Sequence, residues 1–319
     1  MVCRDVIRGA VLAFLFLGSA SAGEVEDLLE QARQAKAAGN DAGAVAAYRR
    51  LAEQGRPEGM MFLGLMHAAG RGVARDPTQA CDDYEQAAHQ ALPLAQHLLG
   101  DCYFHGTGRP LDYAQSMAWY QRAAEAGDVK ALCALGNQYL RGLGVPRDQE
   151  RGLALCRKGA EAGDADAQSD LASAYLAQTD PQAHAQAFAL LTSAAAQGQA
   201  NAAFNLGLMY WNGDSTAKDR PLATRHFRTA WKGGNPRAPF MLGQYYFTQT
   251  FDSERRQIRP APGVQALYWL SLAYKADPDP RNRTQALTLA QNLDALAPGL
   301  NDRLNAWLKT SDEPPPLTE

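Results

Sequence analysis

Beyond its first 22 residues the chain has no apolar run long enough to span a bilayer, and its mean hydropathy is −0.36. Its body therefore holds no membrane anchor. It also lacks an excess of one charge. The net charge is −3 with both signs interspersed, which supplies no polycationic surface and excludes nucleic acid and anionic lipid as partner classes. Catalytic signatures are missing as well. There is no H-E-x-x-H, no G-x-S-x-G, no S-x-x-K accompanied by S-D-N or K-T-G, and no phosphate-cradling glycine loop, so no catalytic residue, cofactor or metal is assigned. Cysteine is scarce, at five in 319 residues.

What is present is a period. Leu63-Gly64, Leu99-Gly100, Leu135-Gly136, Leu171-Ala172, Leu206-Gly207 and Leu242-Gly243 recur at intervals of 36, 36, 36, 35 and 36 residues. Alanines keep the same beat at Ala52, Ala88, Ala124, Ala160, Ala195, Ala230 and, after a longer gap, Ala273. Two columns in step describe one two-element unit copied many times, which buries its apolar face only by stacking on its neighbours.

Each unit reads as helix, turn, helix, turn. Ala131, Leu135 and Tyr139 form one stripe of a first helix, helix A. A glycine-bearing turn follows, as in Gly142-Leu143-Gly144-Val145-Pro146 and Gly70-Arg71-Gly72-Val73, and closes on Asp76, Asp112 or Asp148 at the helix N-cap position. Helix B, such as Ser116 to Ala126, stops at Gly127, Gly163, Gly198 or Gly233. The recurrent small residues let helix backbones approach, and larger side chains there would overpack the contact.

The combined pattern, A-x-x-x-L-G-x-x-Y, G-x-G-V, D and W-Y-x-x-A-A-x-x-G, closely resembles the Sel-one-like repeat family of the tetratricopeptide superfamily. The third copy carries Leu135-Gly136, Tyr139, Gly142-Leu143-Gly144-Val145, Asp148, Ala160 and Gly163. The resemblance implies an all-α, right-handed α-solenoid of stacked helix-turn-helix repeats. Residues 23–58 are expected to form an N-terminal tetratricopeptide-like cap and 59–276 the array. C-terminal capping helices at 284–296 and 300–309 fall within 277–310, and 311–319 reads as a disordered tail. The fourth copy loses its glycine turn and has a helix B about one turn longer. The sixth carries an insertion, Thr248 to Gly263, with Arg255, Arg256 and Arg259, which is either a solvated excursion or part of a binding site.

At the N-terminus, Arg4 and Arg8 precede an apolar run from Ala10 to Leu17, and Ala20-Ser21-Ala22 offers a cleavage site before Gly23. Residues 1–22 are read as an export signal, with a short uncleaved anchor as the alternative. Cleavage removes Cys3 and leaves an even set. Cys81 and Cys102 are equidistant from the turn near Leu92-Pro93, and Cys133 and Cys156 from the turn at Gly142 to Pro146, which places each pair at one height on antiparallel helices. Two disulfides are expected, against four reduced, buried thiols.

Comparison of copies isolates a variable stripe on helix A: His97, Asp101 and His105; Asn137 and Arg141; Phe204, Leu208 and Trp211; Phe240, Gln244 and Phe247. In tetratricopeptide relatives this face is concave and selects the partner, so these residues are the expected binding set. Packing between repeats is the competing explanation. His97, Asp101 and His105 are also potential metal ligands, but i and i+8 stand about 12 Å apart along a helix axis and do not converge on one ion. The resulting expectation is a monomeric, periplasmic or secreted protein that binds a protein or peptide without catalysis. The resemblance implies scaffold, adaptor, regulator or effector-immunity roles. A cell-wall or β-lactam hydrolase, an activity attributed to cysteine-rich relatives, is the alternative.

Overall fold

Aspartate caps about half of the helices and glycine stops many of them. The carboxylates of Asp76, Asp112, Asp128, Asp164, Asp180, Asp219 and Asp279 accept backbone N–H groups two or three residues on, satisfying donors a helix start leaves orphaned. Gly70, Gly106, Gly142 and Gly213 close helices in the left-handed conformation, with φ between 65° and 76°.

The computed structural model describes residues 22–252, 257–311 and 313–316. The expected export signal, apart from Ala22, lies outside the described residues, as do Arg255 and Arg256. Among the described residues are sixteen helices: α1 (Ala22–Ala37), α2 (Asp41–Glu53), α3 (Pro57–Ala69), α4 (Pro77–His89), α5 (Pro93–His105), α6 (Tyr113–Glu125), α7 (Val129–Arg141), α8 (Gln149–Glu161), α9 (Ala165–Leu176), α10 (Pro181–Ala196), α11 (Ala200–Asn212), α12 (Arg220–Lys232), α13 (Ala238–Thr250), α14 (Pro260–Ala276), α15 (Pro280–Leu296) and α16 (Leu300–Leu308). This is an all-α solenoid of helix-turn-helix copies. None of these helices is long and apolar enough to cross a membrane.

The chain divides into two compact units, residues 1–159 and 160–319. In the first, Leu28, Tyr48 and Leu51 pack with Leu63 and Met66, while Tyr84, Leu99 and Trp119 pack around Cys81 and Cys102. In the second, Phe204, Phe227, Phe240, Trp269, Leu270 and Leu293 belong to one continuous core.

The Leu-Gly column has a direct steric cause. A Cβ added at Gly64 would stand 2.6 Å from the Tyr84 ring, at Gly100 2.6 Å from Tyr120, at Gly207 2.6 Å from Phe227, and at Gly243 2.7 Å from a Leu270 methyl. Each glycine on helix A thus seats a large side chain from helix B. In the third copy the opposed residue is Cys156, 2.9 Å from the corresponding point at Gly136.

The sulfurs of Cys81 and Cys102 lie 2.08 Å apart and those of Cys133 and Cys156 2.04 Å apart, both at disulfide distance and in the expected pairs. All four cysteines are buried. The first bridge joins helix B of one copy to helix A of the next, and the second closes a single copy.

The sixth copy differs from expectation. Rather than a loop from 248 to 263, α13 runs to Thr250, a short antiparallel pair joins Phe251–Asp252 to Gln257–Ile258, and α14 begins at Pro260. The Arg259 N–H, 2.7 Å from the Thr250 carbonyl, closes the excursion at its neck. Proline at the first helical position starts α14 and also α15, four residues ahead of the expected Thr284. The tail differs as well. Trp307 Nε1 donates to the Glu313 carbonyl at 2.8 Å, and Pro315 is buried.

Candidate partner-binding face

Position on helix A, counted from the leucine of each Leu-Gly pair, decides which of the variable residues face solvent. Two residues before it stand Met61, His97, Cys133, Ser169, Phe204 and Phe240, all buried except His97. Two residues after it stand Leu65, Asp101, Asn137, Ser173, Leu208 and Gln244, none of them buried.

In the first unit, His97 Nδ1 is 2.7 Å from Asp128 Oδ2, on the N-cap carboxylate of α7, and its Nε2 is 3.7 Å from Asp101 Oδ1. Burial opposes charge on this imidazole, but the hydrogen bond to Asp128 and the fields of Asp101 and Asp128 outweigh it and hold its pKa above the ordinary value. Asp101 accepts the Tyr120 hydroxyl at 2.6 Å. Burial, and secondarily the Asp101 charge, push that phenol well up.

The potential metal trio is therefore divided. His97 turns to the next repeat, Asp101 is held by Tyr120, and His105 is exposed with its ring 4.9 Å from that of Phe104. Among the described residues no group of three or more His, Cys, Asp or Glu is placed to hold a metal ion. Asp101 and His105 do meet at a cavity of about 230 Å³ walled by Tyr84, Leu98 and the Cys81–Cys102 bridge. Asn137 is half-buried and Arg141 exposed.

In the second unit two expected binding residues are core residues. Phe204 and Phe240 are 4% and 6% exposed. The Phe204 ring lies 5.5 Å from Phe227 and beneath the Arg237 guanidinium at 4.5 Å, so it seals one copy against the start of the next helix A. Packing between repeats, the competing explanation, accounts for both. Leu208, Trp211, Gln244 and Phe247 remain half-exposed. Trp211 sits beneath the Arg220 guanidinium at 4.8 Å and beside Tyr245 at 6.4 Å. Trp211 and Phe247 stand five residues after their leucines, whereas His105 and Arg141 stand six after theirs, so the expected stripe merges two columns.

Two further features of this unit escaped the comparison of helix A columns, because helix B contributes them. A cavity of about 490 Å³ is lined by Arg225 and Arg228 of α12, by Tyr245, Tyr246 and Gln249 of α13, and by Arg259. Its signal in the sequence was Arg225 and Arg228 three apart on one helix face. A second cavity, of about 860 Å³, lies between Trp231, Trp269 and the prolines 314–316.

The Sel1 repeat profile matches residues 57–92, 93–128, 129–164, 165–199, 200–235 and 263–278. The chain belongs to the Sel1 repeat family. The sixth Sel1 match begins only at residue 263, within α14, since the hairpin interrupts that copy. Sel1 repeats generally mediate protein interactions.

Among solved structures, the chain is similar to c5321, a protective antigen of uropathogenic Escherichia coli displaying an SLR fold. That match has 27% identity and a TM-score of 0.56 over 90% of this chain and 60% of the antigen. The chain thus spans about three fifths of that protein's length. A Sel1 repeat protein from Oxalobacter formigenes matches with 27% identity and a TM-score of 0.60, over 82% of this chain and 98% of its own. The immunity protein Pa5087 from Pseudomonas aeruginosa matches with 20% identity and a TM-score of 0.43, over 75% and 82%. No curated protein matches the sequence.

Proposed function

We propose that this Sel1 repeat protein is exported and binds a protein or peptide partner through the solvent-facing columns of its A helices, without catalysis. One observation carries the reading. The column two residues after each leucine is buried in none of the six copies and changes chemistry along the chain, as Leu65, Asp101, Asn137, Ser173, Leu208 and Gln244. A position left at least half-open in every copy can vary without refilling the core, so its variation is available for recognition. The proposed contact set is Asp101, His105 and Arg141 in the first unit, and Leu208, Trp211, Gln244 and Phe247 in the second. The export signal and the paired cysteines support an extracytoplasmic location.

The test is capture from envelope extract by the immobilised full chain, with bound proteins identified by mass spectrometry. Trp211→Ala with Gln244→Ala is expected to weaken capture by about 2 kcal/mol if the tryptophan anchors the contact. A variant that melts like the parent and captures the same partner with unchanged affinity would remove these columns from the interface.

A further inference from the structure

The 490 Å³ cleft of the second unit is lined by three arginines. Arg225 and Arg228 stand three apart on α12, and Arg259 enters from the neck of the hairpin, where its N–H is tied to the Thr250 carbonyl. Among the side chains the structure describes, no carboxylate forms an ion pair with any of them, whereas Arg109 in the first unit is paired with both Asp82 and Glu85. Asp219, at the head of α12, is engaged by the Leu222 N–H as a helix cap. The N-terminus of α14 has no side-chain cap, so its positive end adds to the same field.

Arg228 is held by a structural partner. It donates to the Tyr246 hydroxyl at 2.6 Å and stands 5.8 Å over that ring, which fixes the guanidinium at the cleft wall. Arg225 and Arg259 are exposed, and among the described side chains neither guanidinium has a hydrogen-bond or ion-pair partner. Three like charges around one hollow repel each other unless an anion sits between them. Guanidinium groups match carboxylates in two-pronged geometry, and the Tyr245 wall and the Gln249 amide suit a peptide lying alongside.

We infer that this cleft receives an acidic segment of the protein partner, with its carboxylates between Arg225, Arg228 and Arg259. The inference rests on the binding reading above and names the chemistry of one contact.

The probe is a fluorescein-labelled hexaglutamate peptide, titrated with the full chain and read by fluorescence anisotropy at low ionic strength. Saturable binding is expected. It should weaken at least about tenfold, or about 1.4 kcal/mol, in Arg225→Gln/Arg259→Gln. It should also fall steeply at roughly physiological salt. Hexaglutamine should not bind, and Lys232→Gln/Arg281→Gln, which removes the same charge elsewhere on the unit, should leave the affinity intact. Both substituted pairs are exposed, so folding is expected to survive and is checked by melting.

Absence of hexaglutamate binding, equal binding of hexaglutamine, or unchanged affinity in Arg225→Gln/Arg259→Gln overturns the assignment. Displacement by inorganic phosphate at lower concentration than by glutamate also overturns it, in favour of a phosphate site. Partner capture that persists in the double variant sinks the cleft alone. Arginine-dependent peptide binding with no partner captured sinks the broader reading and leaves the cleft.

Discussion

Gly207 faces Phe227 so closely that an added methyl would stand 2.6 Å from the ring. Gly207→Ala should therefore destabilise the chain by about 1–3 kcal/mol in chemical denaturation, through overpacking. Gly163 makes a useful contrast, since a Cβ there would meet nothing within 4 Å and only its φ of +88° resists substitution. Gly163→Ala should cost about 1–2 kcal/mol through backbone strain alone, and a larger side chain should add little there, whereas Gly207→Leu should be far worse than Gly207→Ala. His97 supplies a pH-dependent case. Its folded pKa is raised, so the stability it contributes is fully present below the unfolded value of about 6.5 and is lost as pH rises through the raised folded value. The stability difference between the parent and His97→Gln should be largest near pH ~5.5 and shrink by about pH 8. A flat difference would show that the contact with Asp128 is not ionic.

At the scale of elements, the two bridges close 21 and 23 residues of chain, one between copies and one within a copy. Replacing either pair with alanine should lower stability by about 3 kcal/mol, measured by denaturant unfolding under non-reducing conditions. Both pairings were legible in the sequence because equal distances from a turn place residues at one height on antiparallel helices. Helix starts were legible for a similar reason: Asp76, Asp112 and Asp148 are local caps and need no distant partner. Burial was less legible. Phe204 and Phe240 varied among copies as a recognition column would, yet each fills a contact between successive copies whose neighbours also change. The alanine column holds in part: Ala88, Ala160, Ala230 and Ala273 are buried, whereas Ala124 and Ala195 are half-buried beside the fully buried Ala123 and Ala194. The arginine cleft was invisible to a comparison of A helices because it is assembled from α12, α13 and the hairpin neck.

For the whole molecule, Cys3 is a built-in reporter of export. If the leader is removed before Gly23, intact mass after denaturing alkylation without reductant should show no modified thiol, whereas retention of the leader should show one. Four modified cysteines in the mature chain would contradict both bridges. The small-against-large pairing of Gly64 with Tyr84, Gly100 with Tyr120 and Gly207 with Phe227 has a genetic consequence. Each copy carries both halves of its own lock, so unequal recombination that adds or deletes one 36-residue period brings lock and key together and leaves the remaining pairs intact. Insertions of any other length within a copy must be looped out, as the hairpin of the sixth copy is. The Cys81–Cys102 bridge is where this freedom ends: its halves lie in different copies, so deleting residues 93–128 would strand Cys81 as a lone thiol and mark the lineage in which the loss occurred.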